Sequence, residues 1–252
     1  MVVLLFIIGA CLGSFYLVIG KRLPKGLNAV NSRSMCDHCN HTLSWYELIP
    51  IFSFAFLKGK CKHCHKKISF LNPLIEIVMG IAFAFGYLYY GFCYEMYMFY
   101  IIFSLMIIIF ISDFSYYIIL DSPLVVSSIL IIILDFIYLG FHETVSHIAS
   151  GVFLFLVMYG IKLLGDLIFK RESLGGGDIK FAFVIGLILG FRLSLVSLIL
   201  STFLALPYSF AFLALKKNNE VPYGPFLAAS LFLVFVFLTK FNNLLDYIFL
   251  SL

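Results

Sequence analysis

A chain of 252 residues in which 63% are hydrophobic, 12% are charged and the mean hydropathy is +1.08 lies far from the composition of a soluble globular domain or a disordered chain. It is the composition of a polytopic membrane protein, since one span needs only about 20 apolar residues and this length can supply six to eight of them. The net charge of +4 reflects basic residues gathered mainly in loops between apolar runs, which suits anionic lipid headgroups and gives no reason for a nucleic-acid partner.

Eight apolar runs are expected to be spans: residues 2–20, 73–92, 97–113, 122–140, 145–168, 178–191, 193–215 and 223–247. The first lacks the basic start and small-residue cleavage site of a secretory signal and reads as a retained helix. The sixth is short, which predicts a span that is tilted, broken or shielded by its neighbours. The expected fold is therefore an all-α polytopic membrane protein of about eight transmembrane helices, with a small cytoplasmic loop domain. It divides into a first transmembrane helix (1–20), a four-cysteine domain (21–72) and a membrane-embedded remainder (73–252).

The one long polar segment, 21–72, holds Cys36-Asp-His-Cys39 and Cys61-Lys-His-Cys64, two CxxC pairs with 21 residues between them. Paired thiolates at this spacing suit tetrahedral zinc, one residue beyond the usual separation. A disulfide reading is weaker for a cytoplasmic loop, where thiols stay reduced. His38, His41, His63 and His65 crowd the pairs and are read as solvated loop residues, since four thiolates complete a site. Such a closed site has no open position for water, so its expected role is to fold a segment too small to hold itself together. Cys11 and Cys93, in or beside apolar spans, read as packing residues.

Asp113 ends the third predicted span and Asp178 begins the sixth, directly after Gly175-Gly-Gly177. A carboxylate at hydrocarbon depth costs roughly 2.5 kcal/mol or more, so it is seldom there without a partner or a function. Two carboxyls within about 3–4 Å hold one proton between them; the charged one can deprotonate water while the other donates to a carbonyl oxygen. The glycines admit unusual backbone angles and the close approach of an extended chain. A helix-dipole argument favours charge on Asp178, at a helix start, over Asp113, near a helix end. Asp121-Ser-Pro123 reads as a helix cap, Glu76 as an acid of a first helical turn, and Lys162 with Asp166 as a pair four residues apart.

Orientation follows from the basic residues. Nine of them (Lys21, Arg22, Lys25, Arg33, Lys58, Lys60, Lys62, Lys66, Lys67) fill the loop after the first span and place it inside. Alternation adds Lys170, Arg171 and Lys180, then Lys216 and Lys217, giving fourteen inside against Arg192 and Lys240 outside, with Lys162 in a span. Both chain ends are then expected outside, and Asp113 and Asp178 both at the cytoplasmic boundary.

These residues resemble the bacterial type IV prepilin peptidases over most of the chain. The resemblance is carried by Gly13-Ser-Phe15 with Arg22-Leu-Pro24, Arg33-Ser34 before the first cysteine pair, Leu48-Ile-Pro50 with Ser53, and Pro73, Glu76 and Gly80. It continues through Asp113 and Asp121, Gly177-Asp178-Ile-Lys180 as the GxGD motif, and Val221-Pro-Tyr-Gly-Pro225. It implies a membrane aspartic protease that removes the short basic leader of prepilins or pseudopilins after a glycine at the cytoplasmic face of the bacterial cytoplasmic membrane. Asp113 and Asp178 are the implied catalytic pair, and Cys36, Cys39, Cys61 and Cys64 the implied structural zinc ligands. Members with the cysteine domain also N-methylate the new amino terminus using S-adenosylmethionine. Tyr16 and Leu17 depart from the family pattern, as does Leu120, and Tyr223 stands where phenylalanine is usual.

Other readings are an ion- or proton-coupled transporter using the intramembrane aspartates, a zinc-bearing scaffold and a presenilin-like protease. The first is opposed by the lack of an evident inverted repeat and by the zinc loop, which has no role in transport. The presenilin-like reading leaves the cysteine pairs unexplained.

Overall fold

The computed structural model describes residues 1–27, 34–36, 38–39, 41–170, 172–214 and 221–250. Arg33, Arg171, Lys216 and Lys217, used above for motif and orientation, lie outside the described residues. Among the described residues the regular structure is helical, with two isolated β-bridges. The chain forms two compact units, Met1–Tyr100 and Ile101–Leu252.

In the first unit, α1 (Val2–Arg22) packs on α3 (Leu71–Tyr90). The contact is backbone-close because Gly9 and Gly13, one turn apart, have no side chain: a Cβ on Gly9 would lie 2.5 Å from the Met79 carbonyl oxygen, and one on Gly13 3.0 Å from that of Ile75. Small residues at this spacing are how helices associate where lipid removes any hydrophobic drive. Lys21 and Arg22 close α1 at its negative dipole end, and Lys21 Nζ reaches Asn72 Oδ1 at 3.1 Å. Between these helices lie a 3-10 turn at Trp45–Leu48, with a capping box joining Ser44 and Glu47, and the short α2 (Phe52–Phe56). Buried Glu76 of α3 accepts the Ile51 backbone N–H at 2.7 Å, and Ile51 has a φ of 65°. Glu76 thus anchors a turn that a β-branched residue would otherwise resist.

α4 (Tyr94–Tyr116) begins in the first unit and ends in the second. The second unit continues with α5 (Asp121–Tyr138), α6 (Phe141–Phe169), α7 (Gly176–Ala214), α8 (Gly224–Val236) and α9 (Leu238–Leu250). Among the described residues six helices are long and apolar enough to cross a membrane by themselves, and seven spans result if α8 and α9 count as one. The protein is a multi-pass membrane protein.

The predicted boundary near residue 192 is visible within α7. A straight helix of its 39 residues would reach about 58 Å, twice a bilayer core. At Gly190 the backbone leaves the helix, with φ 69° and ψ −177°, a conformation suited to glycine. Asp178 and Ser201, 12 and 11 residues to either side, both neighbour Tyr223, so the chain folds back at this point and α7 is two antiparallel arms. The second arm buries Ser194, Ser197 and Ser201, a stripe at helical spacing; Ser197 Oγ meets Ser230 Oγ of α8 at 3.0 Å.

The predicted span 223–247 is not straight: α8 and α9 meet at 82°. The reason is polarity, since α9 carries Lys240, Asn242, Asn243 and Asp246, and Asp246 accepts Arg192 at 3.0 Å beside the α7 break. Two smaller expectations are corrected. Asp121 is the first residue of α5 and caps nothing; its carboxylate takes both hydrogen bonds of a Lys180 pair at 2.7 and 2.8 Å. Asp166 is held by the N–H and hydroxyl of Ser173, at 2.7 and 2.9 Å, and Lys162 supplies only its charge.

Candidate active site and metal centre

The four cysteines are brought together in the first unit by two hairpins of the same design. The Cys36 N–H donates to the His41 carbonyl and the Cys61 N–H to that of Lys66, five residues on in each case, at 3.0 and 2.9 Å. The bridges Met35–Thr42 and Lys60–Lys67 flank them in the same register. Ser34–Leu43 and Gly59–Ile68 are therefore one motif used twice, 25 residues apart, a short repeat that reading the sequence for internal repeats missed because only the cysteines and one histidine carry it.

The sulfurs of Cys36, Cys39, Cys61 and Cys64 all lie within 4.8 Å of one another, with Cys36 to Cys64 at 3.9 Å and Cys39 to Cys61 at 4.0 Å. Four thiolates bonded at about 2.3 Å to one tetrahedral ion lie about 3.8 Å apart, whereas a disulfide requires about 2.0 Å. The set fits a metal and all four thiols are free. Backbone N–H groups of Cys64 and His63 draw the Cys61 thiol down to about 7, while, against the opposing His41 backbone hydrogen bond, burial and the three neighbouring thiols push Cys39 up to about 11, so the thiols titrate as one cluster. The histidines are not part of the cluster; His41 and His63 stack on each other with ring centroids 3.5 Å apart.

The two aspartates both lie in the second unit, Asp178 within range of the Asp113 charge. Asp113 lies one turn before the end of α4, where Tyr117, at φ 56°, turns the chain back. That reversal sends the Ile119 side chain against two glycines: a Cβ on Gly177 would lie 2.8 Å from Ile119 Cβ, and one on Gly224 2.7 Å from Ile119 Cδ1. Ile119 thus fixes the end of α4, the start of α7 and the start of α8 at one point. The Gly224 N–H donates to Asp113 Oδ2 at 3.0 Å, and Asp178 Oδ2 lies against the Gly175 backbone. Asp113 is buried and Asp178 half-buried, and the charge of Asp113 acts on Asp178. The dipole argument that assigned the charge to Asp178 is incomplete, because Asp113 also faces a helix start, that of α8.

Gly224 and Ile119 were not singled out from the sequence as site residues. The Val221-Pro-Tyr-Gly-Pro225 motif was visible, but nothing local says that its glycine N–H reaches a residue 111 positions earlier. Beside the pair stands Tyr223, whose hydroxyl lies 2.6 Å from Ser201 Oγ.

Fold and site together define a polytopic helical membrane protein with a cluster of four cysteines placed to hold a metal ion and two carboxyl side chains at helix ends, one of them buried. Residues 7–90 match the bacterial peptidase A24 N-terminal domain, and residues 100–210 match the type IV leader peptidase family. A prepilin leader peptidase/N-methyltransferase of Bacillus subtilis is 34% identical over 246 residues, covering 94% of each chain. One of Vibrio cholerae is 30% identical over 249 residues, covering 92% of this chain and 95% of its own. Another, of Myxococcus xanthus, is 33% identical over 193 residues, covering 75% and 56%. The chain belongs to the type IV leader peptidase family. No solved structure matches it.

Proposed function

We propose that the protein is a prepilin or pseudopilin leader peptidase that cleaves after a leader glycine at the cytoplasmic face of the bacterial cytoplasmic membrane. The observation that supports this reading is that Asp113, held by the Gly224 N–H, lies near enough to Asp178 behind its three glycines for its charge to act there. Two carboxyls close enough to feel each other's charge do not both ionise easily, so one is charged while the other keeps its proton. The ionised one removes a proton from water, which attacks the scissile carbonyl, while the protonated one donates to the carbonyl oxygen. The titration belongs to the pair. Membership of the family supports a peptidase over a transporter.

The proposed division is a first transmembrane helix (1–20), a cytoplasmic cysteine domain (21–72) and a peptidase domain (73–252). The cysteine domain holds structural zinc through Cys36, Cys39, Cys61 and Cys64, and the ion supplies folding energy to the loop. The relatives' names support a second activity, methylation of the new amino terminus with S-adenosylmethionine as donor. Mass spectrometry of a coexpressed prepilin separates the two. Asp113→Ala is expected to leave the leader in place, and Cys36→Ser to act first on the folding of the loop. A mature pilin produced at the wild-type rate by Asp113→Ala would reject the peptidase reading.

A further inference from the structure

A second feature of the second unit lies beside Tyr223, the residue before Gly224. A cavity of about 410 Å³ opens there, walled by Met158, Leu198, Ala205 and Leu206 and carrying the hydroxyl residues Ser173, Thr202, Ser209 and Tyr223. Its size and its mostly apolar wall with a few polar groups are those of a ligand pocket.

The hydroxyl protons can be traced. Thr202 donates to the Ile199 carbonyl at 2.7 Å, Ser209 to that of Ala205 at 2.9 Å, and Ser173 to Asp166 or the Lys162 carbonyl at 2.9 and 3.2 Å. Ser201 donates to the Leu198 carbonyl at 2.7 Å, so the proton in its 2.6 Å contact with Tyr223 comes from the phenol. Every hydroxyl around the cavity has committed its proton to the protein. What these oxygens have left are acceptor lone pairs. A ligand that uses them must bring N–H or O–H donors, which an acyl chain does not have and an extended peptide backbone has at every residue.

Resting on the peptidase reading, we infer that this cavity is a substrate subsite, and that Tyr223 Oη accepts a hydrogen bond from a backbone N–H of the extended chain next to the scissile bond. Continuity commits the occupant. Tyr223 lines the cavity, lies within range of the Asp178 charge and is bonded in sequence to Gly224, whose N–H holds Asp113, so a chain lying in the cavity passes the residue that adjoins both carboxyls. The phenol is a positioning and specificity group that this chain has where its family resemblance leads one to expect phenylalanine.

The test uses the full-length protein in liposomes and synthetic substrates spanning the cleavage site, each with one backbone amide N-methylated. A single methyl position is expected to raise KM roughly three- to tenfold, as loss of one hydrogen bond does. Tyr223→Phe should raise KM by a similar factor for the unmodified substrate, the loss falling on KM rather than kcat. The same methyl should then cost Tyr223→Phe nothing further. Thr202→Trp, which fills the cavity from an exposed position, should stop cleavage. N-methyl profiles identical in wild type and Tyr223→Phe would overturn the inference. So would wild-type cleavage by a well-inserted Thr202→Trp that has merely lost copurifying lipid. Failure of the wild type to cleave any substrate, or wild-type cleavage by Asp178→Asn, would instead remove the peptidase reading beneath it.

Discussion

The backbone N–H of Gly224 donates to Oδ2 of Asp113 at 3.0 Å, joining the start of α8 to the end of α4 across 111 residues of chain. A residue with a side chain cannot occupy position 224 unchanged, because its Cβ would lie 2.9 Å from that same oxygen and 2.7 Å from Ile119. Gly224→Ala is therefore expected to displace the Asp113 carboxylate. Cleavage of a prepilin should fall at least tenfold, about 1.4 kcal/mol in the barrier, while insertion and abundance stay normal in membrane fractions.

Ile119 offers a test of how the site is assembled. Gly177→Ala alone should impair cleavage, since its Cβ would lie 2.8 Å from that of Ile119. Shortening the neighbour makes room. The double variant Gly177→Ala/Ile119→Ala should be less impaired than the sum of the two single changes, a coupling that a double-mutant cycle on cleavage rates measures directly.

The metal centre predicts a separable phenotype. Cys36→Ser, or treatment with a strong chelator, should remove the bound metal and expose the segment around 34–68 to protease. Elemental analysis and limited proteolysis read both. Because the cluster is closed by four sulfurs within 4.8 Å, no exchangeable water position is expected on the ion in the native protein.

Away from the chemistry, Asp135 of α5 is fully buried and pairs with His147 of α6 at 2.9 Å. His147→Phe takes away a partner from a buried carboxyl and is expected to cost about 1–3 kcal/mol. Thermal unfolding in detergent should report the loss, and the protein that remains folded should keep its kcat.

Much of this was legible in the sequence because a bilayer restricts the choices: apolar runs of the right length must be helices, and the predicted spans from 73 to 168 agree with the helices to within a few residues. The cysteine cluster was legible because CxxC spacing is a local property. Asp113 and Asp178 stood out because charge is costly in apolar surroundings. What the sequence did not give was long-range. The Gly224 donor, the Ile119 wedge and the Tyr223–Ser201 hydroxyl pair each need the chain to be folded before they exist. The 82° bend before α9 was missed because residues 223–247 were read as one apolar run, although Lys240, Asn242, Asn243 and Asp246 make its second half amphipathic. The helix-dipole argument for charge on Asp178 was incomplete for a related reason: it counted the helix to which each aspartate belongs and not the helix that arrives from elsewhere.

The most direct measurement is single-turnover cleavage of a purified prepilin by the protein in liposomes, comparing wild type with Asp113→Asn and Asp178→Asn. Both amides keep the shape of the site but can neither ionise nor donate a carboxyl proton. The account predicts that each variant inserts and binds metal as the wild type does and cleaves no substrate. Cleavage at the wild-type rate by either variant would contradict it.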